Sequence, residues 1–324
     1  MLQFPPFSAV LSYLGVRIGW KTLFVRTLRE TIRDDADGMA AQLGYFFFLS
    51  LFPTLLFLIA LASLFPLQDL TDEMVRLLQP FAPAEVITII KEQMLAIGES
   101  RDKALLSLGL IGAIWTSSAA MVAVVSAMNR AYGIIDSRPW WKVRLLAIGL
   151  TVGLAFFILI SLALVVIGPQ LADWMAKWFG LSHVFVWLWK TLQWPLVFLM
   201  VVTGIGLIYY FAPDAEQDWV WISPGAVLAT TLWLLLSLGF RFYVVNIGKY
   251  VASYGTIGGI IVLLLWFYLT GLVIVIGAEL NAEIEHASPW GKDPGEKAPG
   301  QRRYLGAAAA RRYHERGPAR TVSL

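Results

Sequence analysis

Two glutamates and an asparagine near the end of a long apolar stretch carry the clearest chemical potential in the sequence. Glu279, Asn281 and Glu283 lie in the segment GAELNAEIEHA, and Glu279 and Glu283 share a helix face because they are four residues apart. One interpretation is that Glu279 and Asn281 line a cytoplasmic vestibule that takes protons or cations. The other is that the helix emerges at the cytoplasmic interface, where its acids meet nearby arginines.

A single arginine, Arg241, closes another apolar stretch in SLGFRFYVV. Ionisable side chains are unfavourable inside a membrane, so those found there often mark function. An Arg241 that faces an internal cavity would bind an anionic substrate or pair with an acid. An Arg241 that faces outward would extend to the outer interface. Its position near the end of the stretch leaves both interpretations open.

Three glycines open the last apolar stretch, within the segment YGTIGG: Gly255, Gly258 and Gly259. Small residues allow membrane helices to approach closely, so helix packing is one interpretation. The other is that their exposed backbone lines a substrate path.

The segment NRAYGIIDSRPWWKVR is rich in basic side chains. Lysines and arginines beside the inner leaflet determine topology and attract acidic lipid headgroups, and both roles suit this segment. The candidate residues are Arg130, Arg138, Lys142 and Arg144.

Several kinds of catalytic site are excluded by the residue inventory. The chain has no cysteine, which rules out disulfides, thiolate metal sites and cysteine nucleophiles. It contains no phosphate-binding GxxxxGK[ST] loop and no HExxH motif, and its three histidines fall in separate loops or in the tail. We therefore predict no catalytic residues, no metal and no cofactor.

The composition indicates that these residues are carried by membrane helices. Hydrophobic residues make up 58% of the chain and charged residues 15%, against about 45–50% and about 25% in typical soluble domains. We expect an all-α membrane protein, because helices satisfy their own backbone hydrogen bonds in lipid. Six transmembrane helices are predicted, at about 43–65, 105–127, 145–167, 192–211, 222–241 and 257–278.

Two proline-containing sites are expected to kink or end helices of these spans. Pro53 lies in the middle of the first span and should kink it rather than break it. The segment GPQ, which begins at Gly168, should stop the third helix.

Three segments lie outside the six-helix transmembrane domain, which is assigned to residues 41–284. Residues 1–40 alternate apolar and basic positions and predict an amphipathic helix on the membrane surface. Residues 66–104 predict a short helical periplasmic insertion. Residues 285–324 are rich in Pro, Gly, Ala and Arg and predict a disordered basic cytoplasmic tail.

Basic residues also orient the chain. With six spans, 17 of the 25 lysines and arginines fall on the side that holds both termini. The positive-inside rule therefore places the N- and C-termini in the cytoplasm.

Three stretches carry a family resemblance: AAQLGYFFFLSLFP (40–53), AYGIIDSRPWWKVRLLAI (131–148) and the segment 211–286. In them the chain resembles the YihY/BrkB family of bacterial inner-membrane proteins, formerly called the ribonuclease BN family. The resemblance implies a six-helix, multi-pass protein of the bacterial inner membrane. We interpret the ribonuclease name as a misassignment, because the acids are scattered among loops, and we transfer no catalytic residue.

The leading functional hypothesis is a transporter, an exporter or a flippase-like protein for an anionic or amphipathic substrate. The alternative is a non-transporting envelope scaffold or assembly factor. The expected partners are the lipid bilayer and an anionic lipid or lipid-linked substrate, with no nucleic acid. The sequence does not predict an oligomeric state.

Overall fold

A computed structural model describes residues 18–62, 103–179, 183–217, 219–253, 256–288 and 291–298. These residues form helices and connecting turns with no strand among them, which confirms the all-α fold. The helices are α1 (Trp20–Arg33), α2 (Ala36–Ala62), α3 (Lys103–Ala131), α4 (Trp140–Phe179), α5 (His183–Phe211), α6 (Trp219–Ser253) and α7 (Thr256–His286).

Five of the described helices are long and apolar enough to cross a membrane. Their qualifying segments correspond to the second through sixth predicted spans, and each starts or ends up to eight residues from the predicted limit. The segments are Ile111–Ala131, Trp140–Val165, Val184–Phe211, Pro224–Val244 and Gly258–His286.

The first predicted span coincides with most of α2, which is not among those five segments. Pro53 lies inside α2 and the helix continues through it. The hydroxyl of Ser50 donates to the carbonyl of Phe47 at 3.2 Å, and not to the carbonyl of Leu49 that a proline at position 53 leaves without its helical donor. The predicted periplasmic insertion, 66–104, lies outside the described residues except for its last two, which belong to α3.

The expected helix stop at GPQ is wrong. Pro169 lies inside α4, and the helix continues for ten residues, to Phe179. Proline already has a helical φ and removes only one backbone hydrogen bond, so a long helix with strong apolar flanks can accommodate it. Helix α6 likewise extends past its predicted limit, through the more polar sequence that follows Arg241, to Ser253.

The chain divides into two compact units. Unit 1 is drawn from Met1–Phe46, Val122–Leu146 and Ile205–Leu324, and unit 2 from Phe47–Met121 and Ala147–Gly204. Within unit 2, Phe57, Ala113 and Ala155 form a small apolar core that joins α2, α3 and α4. Many of its exposed residues are large and apolar, as is expected of a surface that faces lipid. They include Phe156, Ile158, Ile160, Leu196 and Leu199.

Unit 1 is organised around α7, which packs against α6 and α1. The turn that follows α3 lies against Ala282 through Tyr132 and Ile134. The C-terminal segment 291–298 also packs here, since Gly295 N–H donates to the Tyr132 carbonyl and Glu216 N–H to the Lys297 carbonyl. The sequence predicts disorder from residue 285, whereas 285–288 and 291–298 make these contacts through backbone and charged groups that composition does not reveal.

Candidate functional site

The C-terminal end of α7 buries polar side chains on opposite faces of the helix. Glu279 and Glu283 occupy one face, and Asn281 and Glu285 lie on the other, because each pair is four residues apart. All four are 2% exposed or less. An amphipathic helix would expose one of these faces, so this end of α7 is enclosed on every side. We call these four side chains the α7 cluster.

Helix α6 encloses one side of the α7 cluster through a close glycine crossing. A Cβ built on Gly225 would overlap the Gly277 carbonyl and the Asn281 side chain, and one built on Gly277 would overlap the Tyr209 hydroxyl. The Gly225 N–H donates to Asn281 Oδ1 at 2.7 Å. The Tyr209 hydroxyl donates to the Ile274 carbonyl at 2.7 Å, which adds α5 to the same contact. The absence of side chains at both glycines therefore brings Asn281 onto the α6 backbone.

Tyr132 encloses a second side. Its ring packs on Ala282 and is 1% exposed. Burial, reinforced by the charges of Glu285 and Glu279 and by Tyr209, raises the pKa of Tyr132 well above its ordinary value. The hydroxyl is thus a permanent donor, yet it reaches no acceptor among the described residues. The Asn281 Nδ2 group is a second buried donor without a described acceptor.

The C-terminal segment supplies a cation to the cluster. Lys292 Nζ lies 2.5 Å from Glu285 Oε1, and both side chains are 3% exposed. The same ammonium donates to the Glu216 carbonyl. A buried carboxylate needs a compensating charge and hydrogen bonds, and Lys292 provides both for Glu285. His286 Nδ1 lies 3.8 Å from Glu283 Oε1, on the neighbouring side of the cluster.

Helix α1 closes the remaining side. Leu23 packs on Ile284, with Ile18 and Leu280 around them. Thr27, Glu30 and Thr31 are buried along the same face of α1. The two threonine hydroxyls donate to carbonyls of α1 itself, at 3.0 and 2.8 Å, so they need no partner from α7.

A second polar assembly, the loop network, lies at the same end of unit 1. It consists of Asn129, Asp136, Ser137, Arg138, Asp214 and Lys297. Arg138 binds both carboxylate oxygens of Asp136, at 3.0 and 2.8 Å, and donates to the Ala212 carbonyl at 2.8 Å. The amide and hydroxyl groups of Ser137 both donate to Asp214 Oδ2 at 2.8 Å.

Asn129 and Lys297 complete the loop network. Asn129 donates to Asp136 at 2.9 Å and accepts from the Asp214 N–H at 2.7 Å. Lys297 binds Asp214 and the Ser137 hydroxyl. The network therefore ties the turn after α3, the turn after α5 and the C-terminal segment to one another.

Both aspartates of the network are held in their charged form. Partial burial opposes ionisation of Asp136, but the hydrogen bonds and charge of Arg138 outweigh it and lower its pKa below the ordinary value. Burial also tends to raise the pKa of Asp214, but the hydrogen bonds from Lys297 and Ser137 outweigh it and lower the pKa below its ordinary value. This part of the site is consequently a set of fixed charges near neutral pH.

The residues singled out from the sequence are only partly brought together. Glu279 and Asn281 lie in the α7 cluster, whereas the Arg241 side chain is exposed and forms no ion pair with a described residue. Gly258 is buried, Gly259 has open space where a Cβ would be, and Gly255 lies outside the described residues.

The four basic loop residues have different environments. Arg138 is 18% exposed and committed to Asp136, while Arg130 is half-exposed and lies 3.4 Å from Asp35. Lys142 lies over the Trp141 ring, 5.5 Å from its centroid, and Arg144 is partly buried. Arg130 and Lys142 remain accessible for lipid headgroups, and Arg138 does not.

Sequence reasoning missed several residues of the site, namely Tyr132, Tyr209, Asn129 and Lys292. Asn129 could have been found, because a buried amide at the end of an apolar helix requires partners. Lys292 carried no such signal, since it lies in a segment whose composition predicts disorder.

Three known proteins illustrate what the chain is similar to, and two of them are named membrane proteins. A protein of Bacillus subtilis strain 168, named putative ribonuclease-like protein YfkH, is 38% identical over 81% of this chain and 93% of its own length. A UPF0761 membrane protein of Pseudoalteromonas translucida is 26% identical over 84% of this chain and 87% of its own. A UPF0761 membrane protein of Tolumonas auensis is 28% identical over 55% of this chain and 57% of its own.

No solved structure matches the chain. The family described as virulence factor BrkB matches residues 27–302, a range that includes α2 to α7, the α7 cluster and the loop network. The chain is therefore a membrane protein that belongs to the virulence factor BrkB family.

Proposed function

We propose that the protein is a membrane transporter, exporter or flippase, and that the α7 cluster binds the transported or coupling species. The observation that carries this proposal is the burial of Glu279, Asn281, Glu283 and Glu285 at the end of an apolar helix. Ionisable groups in such positions are rare because they are unfavourable, and in membrane proteins they mark ion pathways and proton relays.

The charge of the cluster bears on the choice of substrate. Three carboxylates surround the end of α7, and Lys292 forms an ion pair with one of them, Glu285. Such a set fits a proton or a cationic group better than an anion. The hypothesis of an anionic substrate depended on Arg241, whose exposed side chain is not part of the cluster. The proposal therefore centres on protons, cations or an amphipathic molecule with a cationic group.

We also propose the finer topology: six spans, with α2 as the first, a periplasmic insertion at 66–104, and both termini in the cytoplasm of an inner-membrane protein. It is supported by the loop network and by the Asp35–Arg130 contact, which join segments at one end of unit 1. The end of α3, the start of α4, the end of α5, the start of α6 and the end of α7 all adjoin those contacts. This arrangement of helix ends supports α2 to α7 as consecutive spans of alternating direction.

The test is transport by the full chain in sealed vesicles. An imposed potassium diffusion potential would drive proton or sodium movement, and a fluorescent phospholipid would report lipid scrambling. We expect one of these movements in the native protein and its loss in Glu279→Gln. Asp173→Asn, which alters an exposed carboxylate of α4 instead, should retain it.

Absence of every one of these movements, with correctly folded protein, would overturn the transporter proposal. The envelope scaffold is then the better candidate, and the hydrogen-bonded loop network at one end of unit 1 favours it. Partner binding should be compared with and without residues 299–324, because removal of 291–298 would disrupt the network itself.

A nuclease is not proposed. A metal-dependent nuclease requires carboxylates or histidines grouped around a metal, and the described residues contain no group of three or more such side chains placed to hold one. The ribonuclease wording belongs to the name of the Bacillus relative. RNA cleavage by purified protein that is abolished in Glu279, Glu283 or Asp214 variants would require this view to change.

A further inference from the structure

Helix α1 has three distinct faces around its circumference. At 3.6 residues per turn, the first face contains Leu23, Thr27, Glu30 and Thr31, which are buried toward α7. The other two faces are exposed and differ in chemistry. The inward face therefore explains how α1 is held, but not why the rest of the helix has the sequence it has.

The second face of α1 exposes large apolar side chains. Phe24, Leu28 and Ile32 follow one another at intervals of four residues and are 58%, 42% and 80% exposed. Trp20 and Val25 flank them and are 56% and 52% exposed. Exposed apolar rows of this kind on a helix that packs against a membrane span need a non-aqueous neighbour.

The third face of α1 is basic. Arg26, Arg29 and Arg33 follow one another at intervals of three and four residues and are exposed. Lys21 lies between the apolar residues, with its ammonium 5.8 Å from the centre of the Trp20 ring. The helix contains one acid, Glu30, which lies on the buried face and 3.7 Å from Arg33, so that Lys21, Arg26 and Arg29 supply the remaining charge of the exposed surface. The exposed surface of α1 thus combines an apolar row with positive charge alone.

We propose that the exposed surface of α1 docks on the bilayer, with its apolar row among the acyl chains and with Arg26 and Arg29 on the phosphates of acidic lipids. Apolar and basic faces side by side are the pattern of helices that lie in the membrane interface. A second copy of the chain fits the surface poorly, because it would bring two sets of arginines together. The partner is therefore an acidic phospholipid surface, and the docking does not depend on transport.

The absence of cysteine in the chain makes a site-specific test direct. In full-length protein, Leu28→Cys places an environment-sensitive fluorophore on the apolar face, and Thr22→Cys places it on the exposed basic side of the same helix. The proteins are reconstituted in phosphatidylcholine vesicles with or without phosphatidylglycerol. Lipids spin-labelled on the upper part of an acyl chain should quench the label at position 28 about twofold more than the label at position 22.

The electrostatic part has its own measurement. Phosphatidylglycerol should increase quenching at position 28, and Arg26→Gln with Arg29→Gln, or high salt applied to the unaltered arginines, should remove that increase. Equal quenching with and without phosphatidylglycerol would overturn the role of acidic lipid. A position 28 label shielded from aqueous iodide but not quenched by the spin-labelled lipids would overturn lipid docking, because a protein surface would then cover α1.

The same measurement in a Glu279→Gln background separates this proposal from the transporter proposal. Loss of transport with lipid quenching unchanged is expected if both proposals hold. Quenching lost in the native background would reject lipid docking and leave transport to be judged by its own assay.

Discussion

Unit 1 and unit 2 are both built from long apolar helices, yet they bury different kinds of polar group. In unit 2 the buried polar residues that the structure describes are Ser50, Ser117, Ser118 and Gln193, all uncharged. The three serines donate to carbonyls of their own helices. Every buried charged residue among the described ones lies in unit 1: Glu30, Asp34, Glu279, Glu283, Glu285, Lys292 and Glu296.

The difference shows that buried hydroxyl groups and buried carboxylates have different requirements in a membrane protein. A hydroxyl that bonds to its own helix needs no second segment, so it can occur anywhere on an apolar helix. A buried carboxylate needs a partner from elsewhere in the chain or a ligand. In unit 1 the C-terminal segment supplies such a partner, because Lys292 pairs with the buried Glu285, and the candidate site lies around that pair.

The largest effect that would test this contrast is expected from the buried ion pair of unit 1. Removal of one partner of a buried pair leaves an uncompensated charge, which typically destabilises a protein by about 3–5 kcal/mol. Lys292→Met should therefore markedly lower the thermal unfolding temperature in detergent. The double variant Glu285→Gln/Lys292→Met should recover much of the loss.

The matched control for that experiment is the exposed pair of unit 2. Lys190 and Asp173 lie 3.3 Å apart and are 45% and 50% exposed. Such pairs contribute at most about 1 kcal/mol, so Lys190→Met should change the unfolding temperature little. Equal effects of the two lysine variants would show that the buried pair of unit 1 is not special.

An intermediate effect is expected from the glycines. Gly225→Ala should destabilise the protein by about 1–3 kcal/mol, because the added methyl group overlaps the Gly277 carbonyl and the crossing has to open. Gly153, on α4 in unit 2, has no heavy atom within 4 Å of a built Cβ. Gly153→Ala should be neutral or stabilising by up to about 1 kcal/mol. A Gly225→Ala protein as stable as the native one would contradict the close crossing.

The smallest effect is expected from a fall in pH. The pKa values of Asp136 and Asp214 lie below the ordinary 3.8 in the folded protein. Their contribution to stability is therefore complete above that value and is lost as the pH falls further, through the lowered pKa values. A spin label on Ala298→Cys should become mobile only below about pH 4, while one on Lys177→Cys in unit 2 should not change. Mobility that rises already at neutral pH would argue against the network.

Long apolar runs made the helices predictable, and five of the predicted spans coincide with helices of spanning length. Helix ends were less predictable. Pro169 and the polar sequence after Arg241 resemble breaks, but a helix continues through both. At Pro169 this is possible because a membrane helix can lose one backbone hydrogen bond without ending.

The candidate site was predictable only where its chemistry lies on one helix. The sequence identified Glu279 and Asn281 as candidate site residues on α7. The same pattern of acids at a helix end is also expected of a helix that emerges at the lipid interface. A buried site differs from an interfacial one by the residues that enclose it. Here these include Tyr132, Gly225 and Lys292, which are distant in the sequence or lie in a low-complexity segment. Arg241 shows the converse, because a lone arginine near a helix end satisfies the same pattern without joining the site.

The position of Lys292 also has a consequence for how the protein is made. A chain leaves the ribosome N-terminus first, so α7 is delivered to the membrane with Glu285 before its counter-ion has emerged. Until the C-terminal segment folds back, that end of α7 has an uncompensated acid and should remain close to water. The final step of biogenesis would then be the seating of one lysine after all the helices are in place. A stop codon just after α7 should yield a protein whose helices insert into the membrane but whose end of α7 does not reach its final buried packing.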